Sequence, residues 1–399
     1  MRQPDDAGRG RAPMAVIAIG IAAWIAACAA PVPVGLPAPE RAPSTAPSTP
    51  SSPVRPGMAA SGATSGMAPV LRWPVRTAEH MDAWLHAFAM LTNDTATVPL
   101  FRRGYRDSLT VRRNQLTLFT ALDSNRQVLA TRLAASPGYR DAQFFPLEMA
   151  SWEVLRSLTE RFLAVDGDLK RAGDRELAAR LAPLATIFPT AADRDWLRLF
   201  LRSVTDERLR FYAETHSRLV RSRAAVVTAV DSLWQRVYRP RFDRFLTGAG
   251  LRTGSLVLSA PLGGEGRSGA GRDKQLVVLV PFPQRVEEAH EAILVFAHEI
   301  TAALVTAIVA DNSSPAERRS GAAERAVTMG QVRAGALLLE RIAPELVTPY
   351  QRYYLAQSGR PAVTLDGAAL RMAFQTRFPF APTMHDALQR QLDLVLGGI

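Results

Sequence analysis

The sequence predicts a mainly helical protein in which a small β-hairpin precedes a buried central helix. Three observations predict it. Apolar residues recur at three- and four-residue spacing through most of the chain after residue 71. Only two short stretches, 255–259 and 275–282, are rich in Val and Leu over strand-like lengths, and a glycine-rich loop joins them. Between 292 and 310 nearly every residue is apolar, as in a helix packed on all sides.

Taken in order, the chain opens with Arg2, Arg9 and Arg11, followed by an apolar stretch at 14–25. This is the order of a secretory signal, and the stretch is too short to span a bilayer as a helix. Ile25-Ala26-Ala27-Cys28 closes it, and Cys28 is the only cysteine among 399 residues. That run resembles the lipobox of bacterial lipoproteins, with Ile25 where the pattern most often has Leu. The resemblance implies a signal peptide at 1–27, cleavage before Cys28 and acylation of its thiol. Each buried acyl methylene would contribute about 0.8 kcal/mol to membrane attachment. Ala29 stands where inner-membrane lipoproteins usually carry Asp, so the resemblance implies the cell envelope, at the outer rather than the inner membrane. Ala27-Cys28-Ala29 also fits the small-x-small rule for ordinary cleavage, which would release a soluble protein. With one cysteine, no intramolecular disulfide can form.

Residues 28–70 are mostly Pro, Ala, Ser, Thr and Gly, too poor in large apolar side chains to offset the entropy of ordering. They read as a tether. A helical region is expected at 71–250. It begins with a helix carrying Met81, Trp84, Leu85, Phe88 and Leu91 on one face, followed by helical runs at 108–134, 147–165 and 170–187. A longer run spans 205–237, Pro240 interrupts it, and Gly248-Ala249-Gly250 ends the short helix that follows. The last region, 251–399, holds the hairpin and further helices. Ser314-Pro315-Ala316-Glu317 starts one of these with an N-cap, a first-turn proline and a glutamate three residues on. Thr383-Met384-His385-Asp386 opens the last in a similar way.

The net charge is +11, and of 48 basic residues only Lys170 and Lys274 are lysine. The arginines are scattered and interleaved with acids, as in Asp193-Arg194-Asp195, so a solvated surface accounts for most of them. No nucleic-acid partner is expected.

One motif carries chemistry. The apolar helix contains Phe296-Ala297-His298-Glu299-Ile300-Thr301-Ala302, and a buried His-Glu pair must find partners or meet a desolvation cost. Here the sequence resembles the zincin metallopeptidases, whose helix reads His-Glu-x-x-His after a substrate-aligning strand. The resemblance implies His298 as a zinc ligand and Glu299 as the general base that activates bound water. The second histidine of that motif falls at Ala302, which offers no lone pair, so zinc is a candidate cofactor with an incomplete site. Glu324 is the downstream carboxylate that would supply the family's third ligand, since Glu317 is already explained by helix capping. Three readings stay open: a zincin-like fold that has lost its metal, a buried polar pair in an ordinary helical protein, and a working site completed by His290 or His385.

Other signals have bland readings. Gly264, Gly266 and Gly269 match Gly-x-Gly-x-x-Gly, but a strand follows where a dinucleotide site needs a helix. His216 falls on the apolar stripe of a long helix, where a satisfied core histidine is the default. His80 and His86 do not share a face. Tyr350, Tyr353 and Tyr354 read as helix packing. The expectation is a membrane-anchored, zincin-like envelope protein without full peptidase activity that binds a peptide or protein along the hairpin edge. The alternative is a non-enzymatic helical scaffold with no metal site.

Overall fold

The computed structural model describes residues 73–397 except 272–274 and 362–363, so the expected signal, lipobox at Cys28 and tether lie outside the described residues. Arg72–Ile399 form one compact unit. It is mainly helical, around a four-stranded sheet.

A short strand, β1 (Val75–Thr77), leads into α1 (Glu79–Leu91), on which every residue from His80 onward is buried. The expected run at 108–134 is two helices, α2 (Tyr105–Gln115) and α3 (Ala121–Ala135). They separate because Thr117 takes a left-handed conformation, φ 50°, and Thr120 caps α3 in a reciprocal box with Asp123. A run of 3₁₀ turns, Pro137–Glu148, precedes α4 (Trp152–Ala164) and α5 (Arg175–Ile187). α6 (Ala191–Glu207) starts at a Thr190–Asp193 capping box and lies almost wholly before the run expected from 205. The long run at 205–237 is segmented: a π-turn at Arg208–Tyr212, α7 (Ala213–Ser222), α8 (Ala224–Leu233) and a second π-turn at Trp234–Tyr238. Pro240 sits in the first turn of α9 (Arg239–Gly248), where its missing N–H costs nothing, and Gly250 at φ 73° follows its end.

The remaining strands are β2 (Gly254–Ser259), β3 (Arg267–Ala270) and β4 (Leu276–Pro281). The sheet order is β1-β2-β4-β3. This corrects the expected hairpin: the stretches at 255–259 and 275–282 lie side by side in parallel, with Leu256 opposite Val278. The hairpin that does form joins β3 and β4, which pair antiparallel from Arg267↔Leu279 to Ala270↔Leu276. Ser268, Gly269 and Ala270 lack the bulky residues by which a strand is read, so β3 was hidden in the glycine-rich connection.

Helices follow to the end: α10 (Glu291–Ile300), α11 (Ala302–Asn312), α12 (Pro315–Arg319), α13 (Ala322–Ile342), α14 (Val347–Gln357), α15 (Gly367–Arg377) and α16 (Pro382–Gly397). The capping box expected at Ser314 and Glu317 is present at the start of α12.

The sheet separates two apolar cores, and strand alternation assigns residues to each. Leu256, Leu258, Val278 and Val280 face one side, with Trp234, Phe242, Phe296, Leu338 and Tyr350. Val257, Val277 and Leu279 face the other, with Trp84, Phe88, Phe162 and Phe200. Cover on both faces explains why β2 and β4 read as continuous apolar runs, as central parallel strands do. Val286–Asn312 is long and apolar enough to cross a membrane by length and composition, but 72% of its most apolar window is buried within the protein. It is the buried centre of this fold, made of α10 and α11.

Candidate functional site

His298 and Glu299 stand at the end of α10, 1% and 7% exposed. They are bonded to each other: His298 Nδ1 lies 3.1 Å from Glu299 Oε1. The His298 ring stacks on Tyr354 of α14, with centroids 5.3 Å apart. Tyr354 in turn packs against Tyr350 and Tyr353. The Tyr350 hydroxyl donates to the Val332 carbonyl at 3.0 Å across Gly335. A Cβ at Gly335 would fall 2.2 Å from that hydroxyl, so α13 admits the tyrosine only with glycine there. Burial pushes the Tyr350 and Tyr354 pKa values well above the ordinary tyrosine range, so both stay protonated.

The carboxylate side of the pair meets the sheet edge. A Cβ at Gly266, just before β3, would come 2.6 Å from Glu299 Cγ and 2.6 Å from the Leu279 carbonyl oxygen, so the backbone lies directly on Glu299. Beyond this point β3 is the outer strand, pairs only with β4, and is half-exposed along Arg267–Gly269. The Pro137–Glu148 segment packs beside it: a Cβ on Gly269 would stand 3.1 Å from Leu147 Cδ2. Arg267 is held by Glu265 at 2.6 Å and lies over the Phe144 ring.

The donors needed for zinc are not assembled. α10 breaks at Thr301, whose hydroxyl donates to the Ala297 and His298 carbonyls, at 3.2 and 3.0 Å. Position 302, where a second histidine would stand, is therefore the first residue of α11. Glu324 is exposed in the first turn of α13. His290 sits at the start of α10 with Nδ1 3.2 Å from the Glu287 carbonyl, and the charged groups acting on His385 are Arg333, Asp386, Glu340 and Arg341. Among the described residues, no three His, Cys, Asp or Glu side chains come together as a metal site. The structure thus brings His298 to Glu299 and not Glu324 to either, and the donor set does not fit a catalytic zinc.

A second buried polar cluster escaped the sequence reading. Asp82 of α1, fully buried, accepts from the Ser259 hydroxyl at 2.6 Å and from the Ala260 N–H at 3.0 Å, and lies 3.3 Å from His216 Nε2. One turn further on, His86 meets the Tyr105 hydroxyl through Nδ1 and Glu207 through Nε2, each at 3.0 Å, and stacks on Tyr212. Glu207 also accepts from Thr120, and Arg113 stands 3.5 Å away. Burial alone would raise the Glu207 pKa, but the hydrogen bond and charge of His86, then Arg113 and Thr120, hold it below the usual carboxylate value. For His216 burial works downward and Asp82 overcomes it, so its pKa is raised. His216 is a buried histidine on the stripe, and its Nε2 approaches Asp82 as an ion-pair contact without hydrogen-bond geometry. With Asp82 between Ser259 and His216, the serine meets the carboxylate and not the imidazole, and the order is not that of a Ser-His-Asp nucleophile. The cluster clamps α1 to the end of β2.

No family model, curated protein or solved structure matches the chain.

Proposed function

We propose that this is a membrane-anchored protein of the cell envelope, acylated at Cys28, with a zincin-like C-terminal half that binds an extended peptide or protein segment along the free edge of β3. It does so without zinc-assisted hydrolysis. The observation that carries the reading is the placement of an antiparallel outer strand of small residues against the helix bearing His298 and Glu299. An incoming strand pairing with β3 would gain main-chain hydrogen bonds, as in β-augmentation. Its side chains would alternate toward Arg267 and toward the sheet face.

The test uses the purified full chain. Peptides selected for binding from a random library are resynthesised with N-methyl groups on alternate amides. One methylation register should abolish binding and the other should leave it, because only every second amide of an added strand faces β3. Equal binding in both registers rules out strand addition. Metal analysis of the same protein should give well under one zinc per chain.

A second reading has its own observation: the hydrogen bond between His298 and Glu299 satisfies each with the other. In a non-enzymatic helical scaffold that bond is purely structural, and the selection would then return no peptide that competes at β3.

A further inference from the structure

At the end of the sheet remote from the β2 C-terminus, a cavity of about 190 Å³ opens where β1, β2 and β4 begin. Pro74, Leu147, Met149 and Val277 line it with apolar surface, and its polar lining is Arg76, Ser255 and Gln275. Arg76 is the unusual member. It is half-buried on the shortest strand, and its contact is Nη2 donating to Ser255 Oγ at 3.4 Å. Burial pulls its pKa down and no carboxylate among the described residues opposes that pull. The neighbouring ionisable group, His80, is itself pulled down by burial and by Arg76, and its Nε2 lies 2.9 Å from the Met149 carbonyl. A guanidinium stays protonated in such a place, so among the described residues it carries charge without a counter-charge. By accepting from Arg76, the Ser255 hydroxyl keeps its own proton free to donate into the cavity.

We propose that this cavity binds a small oxyanion ligand, a carboxylate or phosphate ester, held by the Arg76 fork and the Ser255 hydroxyl. The lining matches what such a site needs: mostly apolar walls, with a few convergent donors that set orientation. A planar or tetrahedral oxyanion accepts two parallel N–H bonds from arginine, a pairing stronger than neutral hydrogen bonds. A volume of about 190 Å³ is enough for a small headgroup or a metabolite-sized acid. Exposed Gln275 places one wall of the cavity at solvent, so such a group has a way in. The site is independent of the β3 edge.

The experiment is calorimetric titration of the full chain with inorganic phosphate, glycerol phosphate, acetate and succinate, and separately with phosphatidylglycerol vesicles. At least one free anion should bind saturably at one site. Arg76→Met, which keeps the apolar stem, should weaken it at least tenfold, and Ser255→Ala should weaken it by a smaller factor. Saturable binding to vesicles alone would assign the oxyanion to a lipid headgroup; binding to free anions assigns it to a soluble ligand. Unchanged affinity in Arg76→Met, or no saturable binding to any probe, overturns the proposal. Should Arg76→Met not fold, Ser255→Ala and Gln275→Ala, with Arg76 intact, must still lower the affinity.

Discussion

The protein buries two histidine–glutamate pairs, built in opposite ways. His298 and Glu299 are adjacent in the chain and bond chiefly to each other, on one helix, with a tyrosine ring stacked alongside. His86 and Glu207 are 121 residues apart, and their bond joins α1 to α6, with Tyr105, Thr120 and Arg113 completing the cluster. The adjacent pair is visible in the sequence and ties together little that the helix does not already hold. The distant pair is invisible in the sequence and joins segments that nothing local connects. A conspicuous motif is therefore no guide to where polar burial matters most to this fold.

The largest expected effect breaks the distant pair. Glu207→Ala leaves His86, Thr120 and Arg113 without their shared acceptor in a site closed to water. Removing one partner of a buried ionic cluster costs about 3–5 kcal/mol. Glu207→Gln keeps an acceptor and should cost less, about 1–3 kcal/mol. Denaturant unfolding of both variants measures the difference. A loss from Glu207→Ala no larger than that of an exposed carboxylate would show that the α1–α6 contact is held by apolar packing alone.

How far the sequence was legible follows the same division. The spacing of Met81, Trp84, Leu85, Phe88 and Leu91 predicts one apolar face for α1, yet it is buried on all sides from His80 onward. A helix buried on all sides obliges Asp82 and His86 to find partners, as it does His298. Small residues between the apolar ones, Ala83, Ala87 and Ala89, were the available signal. The partners themselves, Ser259, His216 and Glu207, depend on tertiary closure and on no spacing rule. The helical class was legible because 3.6-residue periodicity is local. Strand pairing was not: two apolar runs joined by a glycine-rich loop suggest a hairpin with a long tip, and only the hidden β3 makes them parallel neighbours. At the candidate site, His298 and Glu299 were legible as a pair. The break at Thr301, which puts residue 302 in a new helix, depends on a threonine hydroxyl turning back onto its own helix.

A smaller effect probes the adjacent pair. His298→Ala should destabilise by about 1–3 kcal/mol, since one buried hydrogen bond and one stacking contact are lost while Glu299 remains near the surface of the core. That is below the expected cost of Glu207→Ala, and thermal unfolding of the two variants side by side ranks them. A reversed order would mean that α10 depends on its polar pair more than α1 does. The zincin-like reading makes a separate demand on the same helix. Ala302→His should bring zinc binding near one per chain, measured by metal analysis, if residues 298 and 302 still share a face across the Thr301 break. Absence of zinc in a folded Ala302→His would remove that lineage from the proposal.

The smallest effect lies in the pH dependence of the helical layer beside α1. Burial acts to raise the Asp193 pKa, but hydrogen bonds from Thr190, Tyr139 and Arg132 overcome it and hold the carboxyl at about 2. A folded-state value below the unfolded one means that the unfolded chain binds the proton first as pH falls. Asp193 therefore contributes its full stabilisation above about pH 4, the ordinary carboxylate range, and loses it as the pH drops toward 2. Glu207, also held low, adds to the same acid-side loss. His216 has the opposite sign: its raised value gives stability that is full below the unfolded histidine pKa and fades as pH climbs through the folded one. Asp193→Asn should lower stability near neutrality by about 1 kcal/mol, as for a weakened N-cap, and flatten the acid limb below pH 4. Hydrogen exchange at low pH would localise that limb: α3 and α6, joined through Arg132 and Asp193, should open before α10 does. If α10 opened first, the adjacent pair and not the distant cluster would be the acid-sensitive element of this fold.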